Sequence, residues 1–179
     1  MSTITTINPA TEEQLQTYNL MSETEAIDAL EKCHAAFLEW RNQSHEDRGK
    51  YLTKIGQKLR DNADELAALM TRETGKLLKD GLREVEICAA IFDYTAKNGP
   101  DELADEERTH DADGKRGVVS YQPLGVIYSI QPWNFPLYQP VRVLAANLMA
   151  GNGCVLKHAS ICTGSGLRLK ELCDEAGLP

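Results

Sequence analysis

The residues GVIYSIQPWNFPLYQPVRVLAANLMAGNGCVLK, at positions 125–157, carry the pattern from which the fold class follows. VIYSIQ is apolar on both faces and predicts a buried strand. A helix is expected from about 136 to 149, with Pro136 suited to its first turn, and CVLK predicts a short second buried strand. With a last helix over about 163–175, the order is strand, helix, strand, helix. The sequence therefore predicts an α/β fold with parallel strands and a right-handed crossover.

Two polar residues follow the carboxyl ends of these strands, Asn134 after the first and Lys157 at the end of the second. Ligands of open α/β sheets bind outside the carboxyl ends of the strands, so both side chains should face one site. Asn134, between Pro132 and Pro136, is equally a turn residue bonded to its own backbone or an amide that orients a substrate oxygen. Lys157 is a solvated lysine or a ligand-binding amine, and the buried strand before it favours the second.

Arg142 is the only charged residue in the expected helix LYQPVRVLAANLM. Charged groups are rarely buried without a partner. Arg142 is thus either an edge residue whose charge reaches solvent or the partner of an anion. The glycine motifs GNG at 151–153 and TGSG at 163–166 match neither the dinucleotide nor the Walker pattern, and we expect them to be turn and helix-start glycines.

The first hundred residues predict helices. Ser22–Glu25 forms a capping box, Ser44–Asp47 repeats the signal, and Asn62 is expected to cap a third helix. A fourth helix is expected over about 76–97, ended by the sequence Asn98-Gly99-Pro100 as a left-handed cap followed by a breaker. The charges on these helices are interpreted as solvated faces without a function.

Beyond the fourth helix, residues 101–116 are polar and charged and predict a surface connection. GVVSYQ, at 117–122, alternates as a half-buried strand does. A chain of 179 residues with 42% hydrophobic residues is long enough to bury a core. Its net charge of −8 argues against nucleic acid and anionic membranes as partners.

No run of 18 apolar residues predicts a transmembrane helix, and the N-terminus lacks a basic patch followed by an apolar stretch. We therefore expect a cytoplasmic location. The five cysteines include no C-x-x-C pair, so neither a disulfide framework nor a metal site is expected. Cys33 and His34 are neighbours on a helix and point about 100° apart, which makes them a poor catalytic pair.

Four motifs, in order, resemble the aldehyde dehydrogenase superfamily, and within it the bacterial succinate-semialdehyde dehydrogenases: NPATEEQL at 8–15, PLGVIYSIQPWNFP at 123–136, LMAGNGCVLKHAS at 148–160 and EAGLP at 175–179. The resemblance covers essentially the whole chain. It implies helices packed on the first part of a Rossmann-like parallel sheet. It further implies that residues 1–104 and 124–179 form a partial cofactor-binding domain, and that 105–123 is a strand segment for contact between subunits of a homo-oligomer.

The resemblance also implies roles for single residues. Asn134 would hold the oxyanion formed when a cysteine thiolate attacks a small-molecule aldehyde, before hydride leaves to NADP or NAD. Arg142, eight residues later, matches an arginine that reads the substrate carboxylate in the succinate-semialdehyde dehydrogenases. Ser160 stands where NAD-preferring members commonly have Glu, so it should tolerate the 2′-phosphate of NADP. The residues expected at the cofactor are Gln131, Pro132, Trp133, Lys157 and Ser160.

The resemblance implies that the chain is an N-terminal fragment, because the family's nucleophilic cysteine and general-base glutamate match positions beyond Pro179. Cys154 and Cys162 are interpreted as structural. The intact enzyme is expected to oxidise succinate semialdehyde to succinate, and the fragment alone is expected to be inactive. Two alternatives remain open: an aldehyde dehydrogenase of broad specificity, and a non-catalytic truncated module that only binds or interacts.

Overall fold

The computed structural model describes residues 2–108 and 115–179, and within these residues the chain forms six strands and six α-helices. The strands are β1 Thr3–Ile7, β2 Gln14–Asn19, β3 Glu106–Arg108, β4 Gly117–Val119, β5 Val126–Ile130 and β6 Gly153–Lys157. The helices are α1 Glu23–Trp40, α2 His45–Asp61, α3 Ala63–Thr74, α4 Leu78–Glu102, α5 Tyr138–Met149 and α6 Thr163–Glu175, with a 3-10 helix over Ser160–Cys162. The α/β class predicted from the sequence is confirmed.

The first twenty residues form a hairpin in which β1 and β2 pair antiparallel, with Thr3 opposite Asn19. The prediction that the first hundred residues are helical is wrong for this part. The alternating, β-branched run Thr3–Ile7 favours a strand, and Thr6 lies buried in it at 2% exposure.

The caps of α1 and α2 are confirmed. The Ser22 side chain accepts from the Glu25 amide in a complete capping box, and Ser44 accepts from the Asp47 amide. The expected cap of α3 is wrong. Asn62 stands at the right position but gives α3 no side-chain cap, because its side-chain amide donates to the Lys58 carbonyl at the end of α2, over 2.8 Å.

Helix α4 continues through the sequence expected to end it and includes Pro100 in its last turn. Gly99 is not in a left-handed conformation. Its missing side chain serves packing instead: a Cβ there would lie 2.5 Å from Cγ of Met149 on α5. Proline removes one helical hydrogen bond, and close to a helix end that loss is tolerated when tertiary contacts hold the helix.

Strands β3 and β4 pair antiparallel, with Glu106 opposite Val119. The surface connection predicted over 101–116 is therefore partly the end of α4 and partly a strand, and its residues 109–114 lie outside the described part of the chain. The strand predicted over 117–122 ends at Val119.

The predicted strand–helix–strand unit is present. β5 and β6 pair parallel, with Val126 opposite Gly153 and Ile130 opposite Lys157, and α5 connects them. The expectation that both strands are buried is wrong. Tyr128 and Ile130 are 62% and 65% exposed, because within the described residues this sheet has only two strands.

The core lies where α2, α4, α5 and α6 meet. Their apolar stripes are fully buried there, and they include Leu52, Ile55, Leu59, Val85, Phe92, Val141, Ala145 and Leu172. Trp40 at the end of α1 joins this core and donates its indole N–H to the Leu148 carbonyl at 2.9 Å. None of the helices described is long and apolar enough to cross a bilayer.

Candidate functional site

The carboxyl ends of β5 and β6 lie side by side. Ile130 pairs with Lys157 at the last position of both strands, and the Gln131 amide continues the ladder by donating to the Lys157 carbonyl at 3.0 Å. The loop after β5, residues 131–137, therefore starts beside the loop after β6, residues 158–162. Gln131 is held further by its side chain, which donates to the Ser129 hydroxyl at 2.6 Å.

Asn134 lies exposed in the first of these loops, between the exposed rings of Trp133 and Phe135. Its side chain makes no hydrogen bond with any residue that the structure describes. The turn interpretation required a bond from the Asn134 side chain to its own backbone, and that bond is not seen among those residues. The geometry leaves the carboxamide open to a ligand at the sheet edge.

A buried glutamate from α4 fixes the start of α5, four residues after Asn134. Glu84 is 3% exposed, and its Oε1 accepts from the amides of Leu137 and Tyr138 at 2.8 and 3.0 Å. These amides belong to the first turn of α5, which has no local side-chain cap. A carboxylate at this position also matches the positive end of the helix dipole.

Lys76 joins Glu84 to the loop that holds Asn134. Its ammonium pairs with the other oxygen of Glu84, and its Nζ stands 4.1 Å from the ring centroid of Phe135. The cation therefore satisfies the buried carboxylate and contacts the aromatic face next to Asn134. Together the two side chains fix the short loop between β5 and α5 through Phe135, Leu137 and Tyr138.

A second buried glutamate performs the same task for α6. Glu73 of α3, 2% exposed, accepts from the amides of Gly164 and Ser165 and from the Ser165 hydroxyl, at 2.8, 3.0 and 2.7 Å. A Cβ on Gly164 would lie 2.7 Å from a Glu73 oxygen, which explains why this position at the start of the helix is a glycine. Lys157 and Ser160 lie exposed just before the helix that Glu73 caps.

His158 connects the two loops directly. Its Nε2 lies 2.7 Å from the Pro136 carbonyl, so Nε2 carries the proton and donates, and Nδ1 is the acceptor. Nδ1 accepts from the Ala159 amide at 2.7 Å and lies 3.2 Å from Sγ of Cys162. Burial lowers the pKa of His158 although the bond to Pro136 opposes the shift. A neutral imidazole therefore bridges the loop of Asn134 to the loop of Ser160.

The contact between Cys162 and His158 places a thiol beside an imidazole, but it lacks the properties of a nucleophilic pair. Cys162 is fully buried, and burial raises its pKa to about 12. Burial likewise raises the pKa of Cys154 and Cys173 to about 12, that of Cys88 well above its usual value, and that of Cys33. Thiolates are the reactive form, so these five thiols are poorly suited to attack an aldehyde.

Arg142 lies one turn into α5 and is exposed. Its guanidinium stacks over the Tyr138 ring at 5.4 Å from the centroid. Of the two interpretations from the sequence, the edge position is the one observed, and a role as the partner of an anion stays a prediction. No carboxylate among the described residues pairs with Arg142, so its charge remains available to an anion from solution.

The two glutamates that support the loops were not predicted from the sequence, because the charges on the helices were interpreted as solvated. Glu73 and Glu84 are 2% and 3% exposed. The helical spacing could have indicated that Glu73 is buried, because Glu73 lies three residues after buried Met70 and seven after buried Leu66. A charged residue on an apolar stripe indicates a buried partner. Within residues 2–108 and 115–179, no cluster of metal-ligating side chains is present.

A parallel strand–helix–strand unit with polar loops at its carboxyl edge is typical of Rossmann-like proteins, whose ligands bind at that edge. The family model described as "Aldehyde dehydrogenase family" matches residues 1–179, so the chain belongs to the aldehyde dehydrogenase family. The resemblance stated from the motifs is thereby confirmed.

Curated relatives include the succinate-semialdehyde dehydrogenase [NADP(+)] of Deinococcus radiodurans, 37% identical over 97% of this chain and 36% of that protein. The enzyme of the same name from Mycobacterium avium is 41% identical over 98% of this chain and 38% of that protein. Among solved structures, succinic semialdehyde dehydrogenase from Streptococcus pyogenes, in complex with NADP+, superposes with a TM-score of 0.92 and 38% identity, over 98% of this chain and 38% of that one. The chain thus spans less than two fifths of the length of these relatives.

Proposed function

We propose that the protein to which this chain belongs oxidises succinate semialdehyde to succinate with NADP as the electron acceptor. The observation that carries the proposal is the open Asn134 carboxamide, in the loop that starts beside Lys157 at the carboxyl edge of β5 and β6. The names of the relatives from D. radiodurans and M. avium support both the substrate and the cofactor.

In this proposal Asn134 donates a hydrogen bond to the oxyanion that forms when the aldehyde is attacked. A preorganised donor of this kind typically lowers the barrier by about 3–4 kcal/mol. Preorganisation comes from the supports already described, since Glu84 and His158 hold the end of the loop next to α5 and the bond from Gln131 to the Lys157 carbonyl holds the other end. The Asn134 side chain has no described partner from which it would have to be released before it binds the oxyanion.

The cofactor proposal rests on the loop after β6. NADP would accept the hydride of the aldehyde. The exposed Lys157 carries no ion pair among the described residues and would donate to the adenosine ribose. Ser160, also exposed, offers a hydroxyl and no negative charge, so a 2′-phosphate meets no repulsion there. Gln131, Pro132 and Trp133 would line the cofactor from the neighbouring loop.

The nucleophile and the general base are proposed to lie in sequence beyond residue 179. This is supported by the raised pKa values of the five thiols in the chain. The test is to incubate the 179-residue chain with succinate semialdehyde and NADP and to follow NADPH by absorbance. We expect no NADPH above the rate without protein. Turnover by the chain alone that is lost in Cys162→Ser would instead assign the nucleophile to Cys162.

The preference for a carboxylate-bearing substrate is assigned to Arg142. It lies four residues into α5, so the rise along the helix from Tyr138 is about 6 Å. Together with the loop back to Asn134, this distance suits the short span between the two ends of succinate semialdehyde. The planar guanidinium can bind a carboxylate through two parallel hydrogen bonds.

The substrate assignment is tested on the longer protein by kcat/KM for succinate semialdehyde and for an uncharged aldehyde of similar length. Arg142→Ala should cost the charged substrate about 1.5–3 kcal/mol, as for hydrogen bonds to a charged group, and leave the uncharged one nearly unchanged. Arg83→Ala, at an exposed arginine of α4, is the matched control. An equal loss for both substrates would favour an aldehyde dehydrogenase of broad specificity.

We also propose the domain division suggested by the resemblance, with 1–104 and 124–179 as part of the cofactor-binding domain and 105–123 as a segment for contact between subunits. The antiparallel pair β3–β4 supports this, because its residues Val118 and Val119 are 43% and 38% exposed. Residues 109–114 of the segment lie outside the described part of the chain.

A further inference from the structure

A polar cleft lies at the opposite edge of the β5–β6 sheet from Asn134 and Lys157. It has a volume of about 500 Å³ and is bordered by the start of α2, the end of α4, and the residues that precede β5 and β6. Pro123 and Ala150 line the cleft, and each lies three residues before the first residue of a strand. The residues from α2 and its approach that line it include Arg41, Ser44, His45 and Arg48.

Arg48 is the buried member of this lining. Its residue is 3% exposed, and its Nε and Nη1 atoms are buried without a hydrogen-bond partner among the described residues. Gly151 makes room for the guanidinium: a Cβ on this residue would overlap Nη1 of Arg48. The fold therefore accommodates a desolvated cation at the wall of the cleft, instead of letting its side chain extend into solvent.

An anion would stabilise such a cation, because an arginine keeps its charge in proteins and a buried charge without a partner is unfavourable. No carboxylate among the described residues forms an ion pair with Arg48. Burial lowers the pKa of Arg48 and outweighs the opposing attraction of Glu46, which lies exposed at the cleft, as does Asp105. Neither carboxylate bonds to the buried Nε and Nη1 atoms of Arg48.

The other groups of the cleft suit a small oxyanion. Arg41 adds a second cation at the rim. Ser120, in the segment before β5, adds a hydroxyl that accepts from the Gln122 side chain and keeps its own proton to donate. Guanidinium groups bind phosphate and carboxylate through paired hydrogen bonds. Nε and Nη1 of Arg48 are enclosed, so an anion in the cleft would meet the guanidinium at Nη2, the nitrogen that is not enclosed.

We propose that this cleft is a binding site for a small molecule with a phosphate or carboxylate group, with Arg48 as the principal anion-binding residue. The site is independent of the function proposed above, since it lies at the amino ends of β5 and β6. The first and last residues of β5 are four residues apart, so the two edges are separated by about 13 Å.

The test is a titration of the chain with inorganic phosphate and, separately, with acetate, in a buffer whose ionic strength is held constant with sodium chloride. Calorimetry gives the affinity, and the unfolding temperature gives the stabilisation expected from any ligand that binds the folded state. We expect saturable binding of at least one of the two anions. Arg48→Lys keeps the charge but loses the fork, and should weaken the affinity about tenfold or more.

Arg83→Lys is the matched control, because Arg83 is exposed on α4 and outside the cleft, and this variant should bind like the wild type. Should Arg48→Lys not fold, the side-chain Nε–H resonances of 15N-labelled wild-type protein provide a second measurement, in which added anion should move the Arg48 signal and leave that of Arg83 in place.

Three results would overturn the proposal. The first is equal affinity in wild type and Arg48→Lys, and the second is a response that sodium chloride alone reproduces. The third is an unfolding temperature that rises with protein concentration but not with either anion, which would make Arg48 part of a contact between copies of the chain.

Discussion

Replacing Glu84 by alanine should destabilise the chain far more than the loss of an ordinary helix-surface glutamate. The change removes the acceptor for the amides of Leu137 and Tyr138 and leaves the Lys76 ammonium without its partner. Unsatisfied buried donors cost about 1–3 kcal/mol each, and breaking a buried ion pair costs about 3–5 kcal/mol. These costs are not additive because they come from one carboxylate, so we expect the free energy of unfolding to fall by about 3–5 kcal/mol in total.

The assay is urea unfolding of the chain, followed by circular dichroism, with Glu86→Ala as the control. Glu86 lies on the same helix and pairs with Arg60, but its side chain is 62% exposed. Exposed ion pairs contribute about 0–1 kcal/mol, so this variant should stay close to the wild type. Glu84→Gln should fall between the two, because its carbonyl oxygen can still accept from the amides of α5 while the ion pair is lost.

Hydrogen exchange gives a second measurement, in which the expected pattern of lost protection differs from that of a general loss of stability. The amides of Leu137 and Tyr138 should lose protection in Glu84→Ala well before amides in the middle of α4 do, because the start of α5 has no local cap. Equal unfolding free energies for Glu84→Ala and Glu86→Ala would refute the claim that the buried carboxylate holds the loop of Asn134.

The remaining predictions concern pH, cofactor and association. Burial holds the pKa of His158 below its unfolded value near 6.5. The contribution of neutral His158 to stability is therefore complete above that pH and is lost as the pH falls below it. His158→Gln should make the unfolding free energy less dependent on pH between about pH 5 and 6.5. In the longer protein, Ser160→Glu should lower kcat/KM for NADP and spare that for NAD, and an equal loss for both would contradict the role of Ser160. Light scattering of the isolated chain should give a mass that rises with concentration, despite the charge of −8, because Tyr128, Ile130 and Leu124 are 62%, 65% and 88% exposed; a constant monomer mass of 19.8 kDa would contradict this.

The βαβ unit and the polar edge of its sheet could be predicted because their signals are local. Apolar runs of about five to six residues, separated by a helical pattern and by glycine turns, allow few other arrangements, and parallel strands bring Asn134 and Lys157 to one edge. The caps at Ser22 and Ser44, and the bounds of α6, also follow from neighbouring residues alone. These interactions join residues that are close in the sequence, so a short stretch of sequence is enough to predict them.

The supports of the site depend on residues far apart in the chain, and only the tertiary structure decides them. Glu84 meets Leu137 across 53 positions, and Glu73 meets Gly164 across 91. Pro100 stays inside α4, and the neighbouring Gly99 packs on Met149, a contact that no local pattern contains. A carboxylate on a helix is solvated or buried according to what packs over it, since desolvation is offset only where donors from another element converge. The sequence by itself thus determined the βαβ unit, the caps of α1 and α2 and which edge is polar, whereas packing determined which charges are enclosed and which loops are held.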